Sequence, residues 1–457
     1  MTDPRESGFK EVTRLAAARE RLRDAVSPHD RTERVPLSAA DGRAIAETVT
    51  ARRPVPHYDR AAMDGFAVRA EDTFGAGDRS PAVLRERQRD GAAQPGDAPP
   101  EVAPGEALRV HTGSEIPPGA DAVVMVEQTE RVARSATDSE NGDSAERSSA
   151  DHSSGQSPRE EAVSGHGGDV EVFDAVGEGE NVAPAGEDVA EGQTLFEPGH
   201  QLRPSDLGLL KSVGIDTVTC YGQPTVGVVP TGEELVQHDP EPGEIIETNG
   251  LTVAQYVEDW GGKATYRDVV TDDENALRAA IQRDLTKDVV VTTGGSSVGE
   301  RDLIPEVVDE LGEVLVHGVA LKPGHPVGFG VVEETPVIML PGYPVACIVN
   351  AVQFLRPAVK WSGHLPLRAH PATEAVLDRK IPSDPGTRTF ARVSLDPDGA
   401  SVDETDAEPP TATPTRASGA GVLSSVALAD GWVVVPEDSE GIPEGERVTV
   451  QHWEWSQ

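Results

Sequence analysis

The chain has 457 residues, 37% of them hydrophobic, which is enough for several cores and too many for one ordinary domain. Its formal net charge of −39, with only seven lysines among 40 basic residues, excludes duplex nucleic acid and anionic membrane surfaces as natural partners. It resembles the surface of proteins adapted to strong brine, where salt screens the repulsion between acids. Two cysteines, Cys220 and Cys347, are too few for a disulfide framework or a zinc site.

The first residues lack the charged-then-apolar pattern of a signal peptide, and no apolar run is long enough to span a bilayer, so a soluble cytoplasmic protein is expected. Val12, Leu15, Ala16, Leu22 and Val26 recur at helical spacing until Pro28 stops the pattern. Residues 51–191 are rich in Pro and Gly, with short apolar pieces such as AVVMV at 122–126. They read as a β-rich domain. Within it, residues 133–168 are almost free of large apolar side chains and are expected to form a disordered insertion.

Beyond residue 223 strands and helices alternate. Strands are expected at 225–229, 265–270 and 288–293. A capped helix is expected to begin at Thr248 and end at Gly261 and Gly262, and another to follow a cap at Asp272 or Asp273, with Leu277, Ala280, Ile281 and Leu285 on its apolar face. Successive βα units imply a mostly parallel sheet covered on both faces. A helix over 344–360 closes this domain, a polar stretch at 403–415 reads as a surface loop, and segments such as TFARVS at 389–394 and GWVVV at 431–435 read as a small terminal β domain.

The most informative stretch lies at 288–345. There a buried strand runs into a turn with Gly294, Gly295, Ser296, Ser297 and Gly299, followed by Asp302, then by Lys322, Pro323 and Gly324, then by Pro341, Gly342 and Pro344. A glycine-rich turn opening a helix offers backbone N–H groups and a helix dipole to an anion. Three rigid loops of this kind can converge on one edge of one sheet as a binding crevice.

Together with RAAMDGFAV at 60–68, HTGSEIPPGAD at 111–121, AGED at 185–188, PTGEE at 230–234, IETN at 246–249 and TDD at 271–273, these motifs resemble those of the MoeA-type molybdopterin molybdenumtransferases, which share their core fold with the gephyrin E domain. The segment VPLSAADGRAIA at 35–46 resembles the opening helix of that family. The resemblance implies a multidomain α/β fold: a helical linker domain (8–50 and 192–222), the β-rich domain (51–191), a three-layer αβα molybdopterin-binding domain (223–365) and a C-terminal β domain (366–457). It also implies an elongated homodimer with an intersubunit site, and a pterin adenylyltransferase as a partner.

By sequence alone each acid reads as structural: Asp272 as a helix cap, Asp302 as a complement to a helix dipole, Asp64 and Asp188 as local hydrogen-bonders in turns. The resemblance assigns Asp64, Asp188, Glu234, Asp272 and Asp302 to the surroundings of molybdate and adenylylated molybdopterin, with Lys322 as a point charge for an anion. It places Thr231, Gly232, Asn249 and the glycine, serine and proline positions of the three loops against the pterin nucleotide. Acids beside an oxyanion and a pyrophosphate require a cation between them. Mg²⁺ suits that role, with Asp272 and Asp302 as its protein ligands. The implied reaction delivers molybdate to the dithiolene sulfurs and releases AMP, without a protein nucleophile; Cys347 reads as a buried helix residue.

Where many relatives have a second Lys after Pro-Gly this chain has His325; some have another Lys where Gly318 stands; Tyr343 replaces a common Asn; and Gly419-Ala-Gly421 replaces a region that often holds Ser. Reduced positive charge leaves tungstate as an alternative to molybdate. The alternative activities are a pterin adenylyltransferase, a competence-damage-type nucleotide hydrolase and a non-enzymatic scaffold.

Overall fold

The computed structural model describes residues 12–88, 98–132, 168–294, 303–396, 409–415 and 422–455. The expected insertion at 133–168 lies, apart from Gly168, outside them. The chain divides into two compact units, one from Met1–Val49, Phe196–Gly208 and Asp216–Gln457, the other from Thr50–Leu195 and Leu209–Ile215.

The first unit contains a six-stranded sheet in the order Lys263–Tyr266, Thr225–Pro230, Val289–Thr293, Thr335–Leu340, Gly328–Val332, Glu313–His317. The first four strands are parallel and the last two join antiparallel. Because side chains alternate across a strand, each valine-rich run serves two cores. Val226, Val228, Val289, Val291, Ile338 and Leu340 pack with Leu15, Leu22, Val253, Trp260, Phe354 and Val359. Val229, Val290, Val337 and Met339 pack with Leu277, Ile281, Ile304 and Val308. Helices therefore cover both faces, giving three αβα layers. The long closing helix runs as Pro344–Asn350, a wider-wound turn at Ala351–Leu355, and Arg356–Ser362.

Several local expectations are corrected. The first helix, Leu15–Ala25, buries Leu15, Ala18 and Leu22 while Ala16 is exposed. Residues 35–46 form no helix beyond a single turn at Leu37–Ala39. The strand Thr32–Pro36 is instead paired with Thr217–Tyr221, and Gly42 turns the chain at φ +72°. The strand expected at 265–270 is Lys263–Tyr266, with Val270 making a separate bridge to Thr231. The helix Asn249–Asp259 receives no side-chain cap from Thr248.

The same unit carries a second six-stranded sheet in which Arg388–Asp396 pairs with both Thr411–Pro414 and Gly431–Val435, so that the sheet closes on itself around Leu377, Val393, Ala412, Val433 and Val450. The stretch expected as a loop at 403–415 thus contains a strand; Ala412 is fully buried between two partners. Residues 397–408 lie outside the described part.

In the second unit the strands run in the order Ala122–Met125, Gly65–Val68, Glu106–Val110, Ala82–Arg87, Asp169–Val172, Thr129–Val132. Phe66, Leu84, Val124, Val170 and Val172 form the core. The strands on either side of residues 133–167 pair directly, with Val132 opposite Asp169.

Candidate active site

The site residues of the αβα layers gather where the parallel strands end. Thr231 extends the strand Thr225–Pro230; its amide donates to the Thr293 carbonyl at 3.0 Å, and the Gly232 amide donates to the Val270 carbonyl at 3.1 Å. Gly294 follows the neighbouring strand at φ +115°, and a Cβ there would lie 2.1 Å from the Thr231 carbonyl oxygen. Only glycine permits this closeness. The Gly294 amide donates to the Leu340 carbonyl at 3.2 Å, and Asn249 Nδ2, from the first residue of its helix, donates to the Gly342 carbonyl at 2.7 Å. Thr231, Gly232, Gly294, Gly342 and Asn249 are thereby drawn together. A crevice at the carboxyl ends of parallel strands results. The hydroxyls of Thr231 and Thr293 are buried there and have no partner among the described residues. Such orphaned polar atoms suit a polar ligand.

Glu234 is exposed, and its Oε2 would lie 2.8 Å from a Cβ on Gly232, so it stands over that glycine. Pro341 follows the strand Thr335–Leu340, and Pro344 opens the closing helix, with Tyr343 as its exposed cap residue. Asp272 is exposed two residues beyond Val270. It does not cap the following helix: Asp273 does, its Oδ1 accepting from the Ala276 amide at 2.9 Å. Gly295, Ser296, Ser297, Gly299, Asp302 and the segment Gly419-Ala-Gly421 lie outside the described residues.

The loop with Lys322 joins the end of Glu313–His317 to the start of Gly328–Val332, and Gly328 stands opposite Met339 at the carboxyl end of a parallel strand, so the loop lies on the expected edge of the αβα sheet; it also reaches a second sheet. Leu321–Lys322 pairs with the start of Arg388–Asp396 in the closed β sheet. What ties this loop to the crevice is Asn350, whose Nδ2 donates to the carbonyls of Gly324 (2.9 Å) and Ala346 (2.8 Å) from the helix that Pro344 opens. Pro323 lies between the paired strand and this anchored glycine. Lys322 Nζ forms an ion pair with Asp384. Burial, and then the Lys322 charge, lower the pKa of His325 below the ordinary histidine value.

Two further acids were not singled out as site residues from sequence. Glu247 is buried, accepts from the Gly250 amide at 2.6 Å and takes the Tyr266 hydroxyl as its second partner. It fixes the start of the helix that carries Asn249. An acid just ahead of a helix was the available signal. Asp384 had none, because its partner is distant in sequence.

In the second unit, Asp64 is held by Thr112, whose amide and hydroxyl donate to Oδ1 at 2.7 and 2.8 Å. The amide bond first and the hydroxyl second lower its carboxyl below the usual range. It is therefore a long-range bonder and not a local one. Asp188 is exposed, with its amide donating to the Val55 carbonyl at 3.0 Å.

A three-layer αβα unit with a glycine-lined crevice at its strand ends is of the class that receives phosphorylated ligands at that edge. Residues 13–214 match the MoeA N-terminal region (domains I and II), residues 227–361 a probable molybdopterin binding domain, and residues 374–453 the MoeA C-terminal region (domain IV). The chain is 30% identical to a molybdopterin molybdenumtransferase of Bacillus subtilis, over 93% of this chain and 92% of that one. It is 31% identical to the Haemophilus influenzae protein of the same name, over 83% and 85%. A crystal structure of a molybdopterin biosynthesis MoeA protein from Pyrococcus horikoshii superposes with a TM-score of 0.71 at 29% identity, covering 96% of this chain and all of that one. The chain belongs to the MoeA family.

Proposed function

We propose that this protein is a molybdopterin molybdenumtransferase, acting in molybdenum cofactor biosynthesis on adenylylated molybdopterin and molybdate, with release of AMP. The observation that carries the reading is the crevice built by Thr231, Gly294, Gly342 and Asn249, within a chain related to such enzymes along nearly its whole length. Backbone groups at the strand ends and the Thr231 and Thr293 hydroxyls bind the pterin nucleotide. Lys322 orients the oxyanion once it exchanges Asp384 for substrate. Catalysis by fixed charges and dipoles needs no protein nucleophile. Cys347 accordingly is buried, its thiol pushed up by burial.

Among the described residues no three His, Cys, Asp or Glu side chains form a metal cage. The exposed carboxylate of Asp272 fits an ion held by one or two protein carboxylates together with substrate oxygens and water, which is how Mg²⁺ binds. Asp272, with Asp302, would hold it, and Mg²⁺ would supply stabilisation of charge on the phosphate and oxyanion oxygens. The proposal includes a homodimer whose site draws on two copies, an adenylyltransferase that hands over the substrate, and a cytoplasmic setting.

The test is cofactor formation from purified adenylylated molybdopterin, Mg²⁺ and either molybdate or tungstate. Equal rates with both anions would retain the reaction class and refute selectivity for molybdate. Absence of AMP release with either would refute the proposal.

A further inference from the structure

In the first unit, the strand Arg447–Gln451 runs into a single turn, Trp453–Trp455, whose two indoles meet opposite surroundings. Trp453 is buried and stacks on Trp432 with ring centroids 4.5 Å apart, whereas Trp455 is 77% exposed. Between them and the neighbouring strand ends lies a cavity of about 660 Å³, lined chiefly by Leu395, Asp430, His452, Trp453, Glu454 and Trp455. No lysine or arginine stands among its described lining residues.

The two acids are held in place without being neutralised. Asp430 Oδ2 accepts from the Leu395 amide at 2.7 Å, and Glu454 Oε1 accepts from the Tyr256 hydroxyl at 2.7 Å; the Tyr256 oxygen in turn accepts from Trp453 Nε1 at 3.4 Å. The second oxygen of each carboxylate has no partner among the described residues. His452 donates from Nδ1 to the Asp430 carbonyl at 2.7 Å, and its Nε2 meets the Thr373 hydroxyl at 2.8 Å, so both ring nitrogens are engaged within the protein.

This lining selects among ligands. Anions are repelled by the acids. A bare metal ion needs several oxygen or nitrogen donors, and among the described residues no three His, Cys, Asp or Glu side chains form a metal cage. A neutral apolar molecule would dehydrate the carboxylates without pairing them. An alkylated ammonium meets every feature: its charge faces the carboxylates and the indole faces, which attract cations, while its carbons cover Leu395 and the rings.

We propose that this cavity binds a small organic cation of the quaternary ammonium type, with Asp430 and Glu454 as its counter-charges and Trp455 as its aromatic wall. None of these residues belongs to the crevice, so the inference stands apart from the enzymatic reading.

The experiment is calorimetric titration of the full chain with tetramethylammonium chloride, and with its uncharged isostere 3,3-dimethyl-1-butanol, in 1 M KCl. There the screening length is about 3 Å, so general attraction of cations by the net charge of −39 is suppressed. One cation per chain is expected, bound tenfold or more tightly than the alcohol. Trp455→Ala, at an exposed position, and Glu454→Gln, which keeps an oxygen for the Tyr256 hydroxyl, should each weaken uptake tenfold or more while melting as the wild type does. No saturable uptake by the wild type, equal affinity for the uncharged isostere, or unchanged uptake by either folded variant would overturn the proposal; the isostere comparison needs only the wild type and decides the matter even if a variant fails to fold.

Discussion

Asp273 Oδ1 accepts a hydrogen bond from the Ala276 amide at 2.9 Å, and this bond separates the roles of two adjacent acids. The cap of the helix Glu274–Asp284 is Asp273, so the structural explanation available for Asp272 from sequence belongs to its neighbour. Asp273→Ala should lower stability by about 1 kcal/mol with turnover retained, because an orphaned amide in the first turn loses its acceptor. Denaturant melts of the two single variants check this. Equal destabilisation by Asp272→Ala would contradict the division of roles.

Acid should weaken a cluster near the start of the helix Pro204–Ser212. Burial alone would raise the Asp206 carboxyl, but Arg203, which donates at 3.0 Å, and His200, at 2.8 Å, outweigh it and hold it at about 2. A depressed carboxylate contributes stability that is complete above its unfolded value near 4 and is lost as pH falls through 2. The contribution at pH 6 is about 1 kcal/mol after allowing for the solvent around Arg203. The stability difference between wild type and Asp206→Asn should shrink from pH 5 to pH 2. A constant difference would show that the ion pair does not set it.

The valine runs at 225–230 and 289–293 announced buried parallel strands because they are continuous, β-branched and bounded by glycine. Gly294 was legible for the same reason, standing where the chain must turn at a strand end, whereas Gly232 came only through the family resemblance. What sequence did not show depends on distant partners. The pairing of Leu321–Lys322 with Arg388–Asp396 involves two residues, too short for a period, and Asp384 meets Lys322 only once that pairing forms. The strand Thr411–Pro414 reads as polar because the closed sheet buries just its Ala412. The two carboxylates at 272 and 273 offer the same chemistry, and only the backbone geometry of the helix start selects the cap.

Residues 133–167 connect strands that already lie side by side, Val132 opposite Asp169. Replacing them with a short Gly/Ser turn closes a shorter loop between ends that are already adjacent. Stability and cofactor formation should be unchanged within about 0.5 kcal/mol and about twofold. A chain that loses activity or changes oligomeric state on replacement would assign the segment a role in the fold or assembly.

Salt should stabilise the protein. With a net charge of −39, repulsion between acids is relieved as the screening length falls to about 3 Å at 1 M. Melting temperature and turnover are expected to rise from dilute buffer to molar KCl. Full stability and activity in dilute buffer would sink the reading of the surface as adapted to brine.

The central claim, a crevice that inserts molybdenum with the help of Asp272, is tested most directly by single-turnover release of AMP from adenylylated molybdopterin with molybdate and Mg²⁺, comparing wild type with Asp272→Asn and Asp273→Asn. Asparagine preserves a capping oxygen at 273 but removes the charge at 272. The account predicts wild-type rates for Asp273→Asn and a loss of about a hundredfold or more for Asp272→Asn, with both variants melting within a few degrees of wild type. An Asp272→Asn protein that releases AMP and forms cofactor at the wild-type rate would contradict it.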